Sequence, residues 1–198
     1  MPNPVEHAKR ALRAELRERR QLLSEPQREA AASGIAAQLD ALVASLGARS
    51  VSCFLSTPTE PGTRDFIRRA VRRGIRVLLP ITRADGLLDW VAADEDEAIV
   101  EGRFGLPEPT GEVLSPMAVN DVDLMIIPAA AVDGDGMRIG WGRGYFDKTL
   151  GSMVKCPPVY AVVYDSEILD SVPREVHDQA VTGIVTPTRT LTLSPQRP

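Results

Sequence analysis

Apolar residues recur at Val5, Ala8, Leu12, Leu16 and Leu23, in steps of three, four and seven that gather them on one side of a helix over residues 5–23. Ser24 and Gln27 have capping-box spacing and open a second, alanine-rich helix running to about Leu46. The period then changes. Ser50 to Leu55 and Ile75 to Ile81 are short, largely apolar runs, as expected of strands covered on both faces. Between them Thr63 stands where a helix N-cap belongs, the helix runs to Arg73, and Gly74 stops it. Strand, helix and strand in that order predict a crossover with parallel pairing. Leu87 to Ala92, after Asp85-Gly86, reads as an edge strand, Leu124 to Ile127 and Val159 to Val163 as central strands, and Gly183 to Thr186 as the last one. The expected fold class is α/β, layered, with binding loops at the strand ends.

Composition narrows the partners. The 198 residues are 43% hydrophobic and 25% charged, with Gly and Pro scattered instead of gathered into a linker, so one domain over residues 1–198 is expected. A net charge of −4 and a pI near 5.3 argue against nucleic acid as the main partner, which needs a basic face on a basic domain. The N-terminal MPNPVEHAKRALRAELRERR turns charged within a few residues and lacks an apolar h-region, which points to the cytoplasm. The longest apolar run, Leu124 to Val132, is broken by Pro128 and is far shorter than the roughly 20 residues of a membrane span, so no membrane partner is expected. Cys53 lies in the apolar VSCFL run and Cys156 precedes Pro157; both read as small hydrophobes, placed neither as a metal pair nor as a nucleophile with its base. A Ser/His/Asp hydrolase would have to use His7 or His177, and no GxSxG elbow accompanies them.

The chemistry concentrates between Ala129 and Leu150. Glycines at 134, 136, 140, 142 and 144 alternate with Arg138, Trp141, Arg143 and Tyr145, and Asp147 follows. Glycines let main-chain N–H groups turn toward an anion, arginines offer forked donors, and Asp147 is a candidate ligand for a divalent cation. An apolar strand before the loop and a helix from about Tyr145 after it make the layout in which phosphate meets a helix N-terminus. Neither Walker A nor GxGxxG is met. A tight structural turn competes with the anion site as a reading of Gly134-Asp135-Gly136. In the first helix Lys9, Arg13, Arg17 and Arg20 share a face, which is either a solvated surface laced by Glu6, Glu15 and Glu18 or a set of cations whose Lys9 and Arg13 reach the phosphates.

These segments together resemble the 5-formyltetrahydrofolate cyclo-ligase family. The likeness runs from Lys9 to Thr188 through KRALR, FLSTPTEPGT, GRFGLPEP, the glycine loop and VPREVHDQAV, and the family pattern R-x-G-x-G-x-G-[YF]-[YF]-D is met by Arg138, Gly140, Gly142, Gly144, Tyr145, Phe146 and Asp147. The resemblance implies a three-layer α/β fold, a mostly parallel sheet flanked by helices, similar to the sugar-phosphate isomerase and CoA-transferase group. It implies conversion of 5-formyltetrahydrofolate to 5,10-methenyltetrahydrofolate with ATP as co-substrate and Mg2+ as cofactor. Carried over, Lys9, Arg10, Ala11, Leu12 and Arg13 with Arg138, Ile139, Gly140, Trp141, Gly142, Arg143, Gly144, Tyr145 and Phe146 would contact ATP. Leu55, Glu60 and Trp141 to Tyr145 would line the folate site, Asp147 and Asp178 would hold Mg2+, and Arg138, Arg143 and Asp147 would stabilise the developing charge. Asp133 and Asp135 stay open as further metal contacts. A catalytically silent folate- or nucleotide-binding relative is the alternative, and it would have lost one of these phosphate or metal groups.

Overall fold

The computed structural model describes residues 4–95, 98–175 and 178–193; His177 lies outside them. Helix α1 (Pro4–Gln21) and helix α2 (Glu25–Leu46) are joined by the capping box, with the Ser24 Oγ accepting from the Gln27 amide and the Gln27 side chain accepting from the Ser24 amide. Strand β1 (Ser50–Cys53), helix α3 (Arg64–Arg72) and strand β2 (Arg76–Thr82) form the crossover, and β1 and β2 pair in parallel. Strand β3 (Leu88–Ala92) lies antiparallel at one edge.

The chain then makes a small hairpin, β4 (Ile99–Glu101) with β5 (Pro107–Pro109), and returns as β6 (Leu124–Pro128) on the other side of β1. Strands β7 (Ala131–Asp133) and β8 (Arg138–Ile139) form a hairpin that leads into helix α4 (Tyr145–Ser152). Strand β9 (Val159–Val162), the short β10 (Ile168–Leu169) beside β7, β11 (Gly183–Val185) and β12 (Thr190–Thr192) complete the order. The main sheet runs β12-β11-β9-β6-β1-β2-β3, parallel in its five inner strands and antiparallel at both edges.

Alternation along the inner strands separates two cores. Leu124 and Ile126 face Ile35, Leu39 and Phe66 on the α2–α3 side, whereas Met125 and Ile127 face Trp90, Tyr145 and Leu150 on the α4 side. The expected three-layer α/β architecture is present. Helix α1 lies outside these layers, its Leu16 packed against Ala130, Ala131 and Ile139 near the β7–β8 hairpin. Among the described residues no helix is long and apolar enough to cross a membrane.

Several local expectations are corrected. Helix α1 ends at Gln21, and Gly183–Val185 is followed by a further antiparallel edge strand whose three polar-flanked residues carry too little pattern to read. Thr63 does not cap α3: its hydroxyl donates to the Phe54 carbonyl at 2.7 Å and accepts from the Ser56 amide at 3.3 Å, which ties down the segment leaving β1. Cys53 is buried as expected, but Cys156 is exposed.

Candidate active site

The chain changes direction between β1 and β6: β2 and β3 lie to one side, β9 and β11 to the other. In α/β sheets a crevice opens at the carboxyl ends of the strands at such a point. Here Phe54 and Leu55 beyond β1, Pro80 and Thr82 of β2 and Pro128 at the end of β6 line a cleft of about 360 Å³.

The glycine loop splits into two parts with different work. In the first, the Asp133 carboxylate accepts from the Asp135 and Met137 amides at 3.0 Å each and from the Val172 amide at 3.2 Å. Gly136 has φ +83°, and a Cβ there would come within 2.7 Å of the Val181 carbonyl oxygen. The Gly134-Asp135-Gly136 segment is therefore a structural turn. Asp133 and Asp135 line neither cavity described here. The second part, from Gly140 to Gly144, feeds α4 through left-handed backbone at Gly142 and Gly144 and borders both cavities.

A smaller cavity of about 190 Å³ lies between α1, this loop and residues Glu175 and Asp178. Lys9 Nζ donates to Asp178 at 2.7 Å and to Glu175 at 3.1 Å. Burial alone would push the Lys9 ammonium down, but those two hydrogen bonds and the charges of Asp178 and Glu175 outweigh it and hold its pKa above the ordinary lysine value. Arg13 Nε donates to the Gly140 carbonyl at 2.8 Å, and its guanidinium lies so close to Gly142 that an added Cβ would sit 3.3 Å from it. Arg138, 6% exposed, donates to the Gln179 carbonyl at 2.5 Å and pairs with Asp147. The solvated-surface reading of α1 thus fails at Lys9 and Arg20, which are buried, and survives at Glu15, paired with Arg19 in solvent.

The larger cleft is walled by Trp141, Tyr145 and Phe146 from the loop and α4, and by Leu106, Pro107 and Glu108 from the β4–β5 hairpin. Glu108 fixes the hairpin to β2 by accepting from the Thr82 amide at 2.8 Å and hydroxyl at 2.6 Å. Glu60 lies in the turn after β1, its carboxylate accepting from the Thr57 amide at 2.8 Å. Burial pushes its pKa above the ordinary glutamate value, against the pull of the Thr57 hydrogen bond and the Arg20 charge. Arg138, Gly140, Gly144 and Asp147 border both cavities, so the two spaces meet at that edge.

Set against the expected residues, Lys9, Arg13, Ile139, Gly140, Gly142 and Gly144 reach the smaller cavity together with Asp147 and Asp178. Leu55, Glu60, Trp141, Tyr145 and Phe146 line the larger one. Arg143, expected on the triphosphate, lines the larger cleft, its guanidinium carbon 3.7 Å from the centroid of Phe104. Arg10 and Ala11 are exposed, Arg10 with its guanidinium 3.2 Å from His7 Nδ1, and Leu12 packs near Leu16; these three line neither cavity. Sequence reasoning missed Arg17, Arg20, Glu108 and Glu175. The first two share the Lys9–Arg13 face of α1, Glu108 is in the GRFGLPEP segment and Glu175 in VPREVHDQAV, so a signal existed for all four.

Comparison with known proteins comes down on one family. A sequence model of the 5-formyltetrahydrofolate cyclo-ligase family matches residues 5–187. The 5-formyltetrahydrofolate cyclo-ligase of Mycolicibacterium smegmatis is 34% identical over 187 residues, 92% of this chain and 95% of that one. The protein of that name from Escherichia coli K12 is 28% identical over 178 residues, 88% and 97% of the two chains. The NMR structure of Aquifex aeolicus 5,10-methenyltetrahydrofolate synthetase superposes with a TM-score of 0.79 at 25% identity, covering 96% of this chain and 95% of that one.

Proposed function

The chain belongs to the 5-formyltetrahydrofolate cyclo-ligase family, and on that footing we propose that it converts 5-formyltetrahydrofolate to 5,10-methenyltetrahydrofolate in the cytoplasm, consuming ATP with Mg2+. The formyl oxygen attacks the γ-phosphorus of ATP and ADP leaves. N10 then closes on the activated formyl carbon and gives up its proton to phosphate or solvent, and the oxygen departs with the phosphoryl group as phosphate. No covalent enzyme intermediate is required, so positioning and charge neutralisation carry the catalysis.

The observation that carries this reading is the shared edge of two unlike cavities. The larger, aromatic-walled cleft suits the folate rings, and the smaller one, with Lys9, Arg13 and the glycine amides, suits the triphosphate. Arg138 and the Gly140–Gly144 backbone stand where the formyl oxygen and γ-phosphate would meet.

The donor set also fits the metal. Among the described residues no group of three His, Cys, Asp or Glu stands ready to hold an ion, but Asp147 and Asp178 both line the smaller cavity. Mg2+ ordinarily takes one or two carboxylates and completes its shell with phosphate oxygens and water, which is what these two residues would offer. Bound there, the ion would neutralise charge on the triphosphate.

An absorbance assay for the methenyl product tests the proposal, with 5-formyltetrahydrofolate present and ATP or Mg2+ omitted in turn. Product is expected only with both. Product without ATP, or none under any condition, overturns the reading.

A further inference from the structure

Glu175 has no role in the chemistry above, yet it lines the smaller cavity. Its carboxylate accepts from Lys9 Nζ at 3.1 Å, and its amide donates at 2.8 Å to the Asp178 oxygen that accepts from the same ammonium at 2.7 Å. Lys9 is buried, so these two carboxylates are what makes its charge tolerable there. The other cations of the cavity are engaged in the same way. Arg138 pairs with Asp147, and Arg13 Nη1 stands 4.0 Å from Glu6.

Among the described residues lining this cavity, three cations therefore meet four carboxylates. A site built to attract a bare polyanion would show the opposite excess. A metal-free triphosphate carries about four negative charges at neutral pH and its Mg2+ complex about two. To take Lys9, the metal-free form must break both ion pairs and leave Glu175 and Asp178 beside its own oxygens, where half-buried like charges repel strongly. With Asp147 and Asp178 given over to a metal ion, that repulsion is replaced by ligation, and Lys9 still has Glu175.

We propose that Glu175 is a specificity residue that selects nucleotide as its Mg2+ complex: with Asp178 it holds Lys9 against a metal-free triphosphate, and it keeps Lys9 neutralised once Asp178 serves a metal. The inference rests on the reading of the smaller cavity as the triphosphate site. Discrimination then comes from carboxylates that disfavour the wrong ligand as well as from contacts to the right one.

Calorimetric titration of the full chain with ATP tests this, once with Mg2+ and once in EDTA, without folate so that no turnover intervenes. Wild type is expected to bind the Mg2+ form at least about tenfold more tightly. Metal ligation alone would give that preference, so the decisive titration is the metal-free one. Glu175→Gln removes one charge beside the phosphates and should tighten metal-free ATP about tenfold, but the Mg2+ form, with about half the charge, only about threefold. Glu175→Asp keeps the charge and should stay within about threefold of wild type in both titrations. Asp178→Asn, read in EDTA where its part as a metal ligand drops out, should also tighten metal-free ATP about tenfold. Metal-free affinity unchanged or weakened in Glu175→Gln overturns the proposal and leaves Glu175 as an anchor for Lys9; should that variant not fold, Asp178→Asn decides in the same way. A wild type that binds both forms equally also overturns it, as does an aspartate variant that behaves like the glutamine one. If wild type binds ATP under neither condition, the triphosphate reading of the smaller cavity itself fails.

Discussion

Replacing Glu60 by Gln separates recognition from local structure. The side chain keeps its size and one carbonyl oxygen, so the 2.8 Å bond from the Thr57 amide survives and the turn after β1 keeps its shape. What disappears is the charge facing the cleft. A hydrogen bond to a charged group is worth roughly 1.5–3 kcal/mol, so the folate KM should rise about tenfold to a hundredfold with the ATP KM unchanged. The pH dependence has a definite sign. Burial raises the folded-state pKa of Glu60 above its ordinary 4.5, so the stability it contributes is present below that value and lost as pH rises through the folded pKa. The ionised group is therefore a net cost to the empty protein at neutral pH, and the Gln variant should melt at the same temperature or slightly higher. Substrate needs the ionised form. The wild-type folate affinity should thus fall off on the acid side at a pH above the usual glutamate range, and the variant should show no such limb. Initial rates of methenyl product at saturating ATP, with folate varied at each pH, measure both effects. An unchanged folate KM together with a lowered melting temperature would refute the argument and return Glu60 to the turn.

Two further substitutions probe the smaller cavity. Arg13→Ala removes the cation between Gly140 and Gly142 and should raise the ATP KM about tenfold or more, leaving the folate KM in place; a melting-point drop with unaltered ATP use would make it a helix-to-loop strut only. Asp147→Asn keeps the shape but weakens a hard-cation ligand, so the Mg2+ concentration for half-maximal rate should rise steeply, with Asp178→Asn showing the same trend more weakly. A normal Mg2+ titration in the Asp147 variant would leave that residue as support for Arg138 and for the dipole of α4.

Periodicity and punctuation along the chain determine much of this protein. The 3.6-residue spacing in α1, the Ser24–Gln27 cap and the apolar runs of β1, β2, β6 and β9 are each carried by neighbouring residues, so each is legible without the fold even where its apolar side chains are buried against distant elements. The Arg138–Asp147 string is legible for the same reason, since its glycines and charges are contiguous. Tertiary structure alone decides which half of the glycine run turns the chain and which half borders a cavity, because that depends on Val181 approaching Gly136 and Arg13 approaching Gly142 from distant parts of the sequence. It also sends Arg143 onto Phe104 instead of into the smaller cavity, and it buries Lys9 between Glu175 and Asp178 and Arg20 against Glu167. A charged residue on a helix looks the same in sequence whether water or a carboxylate more than a hundred residues away solvates it, and only folding supplies the partner that makes its burial tolerable.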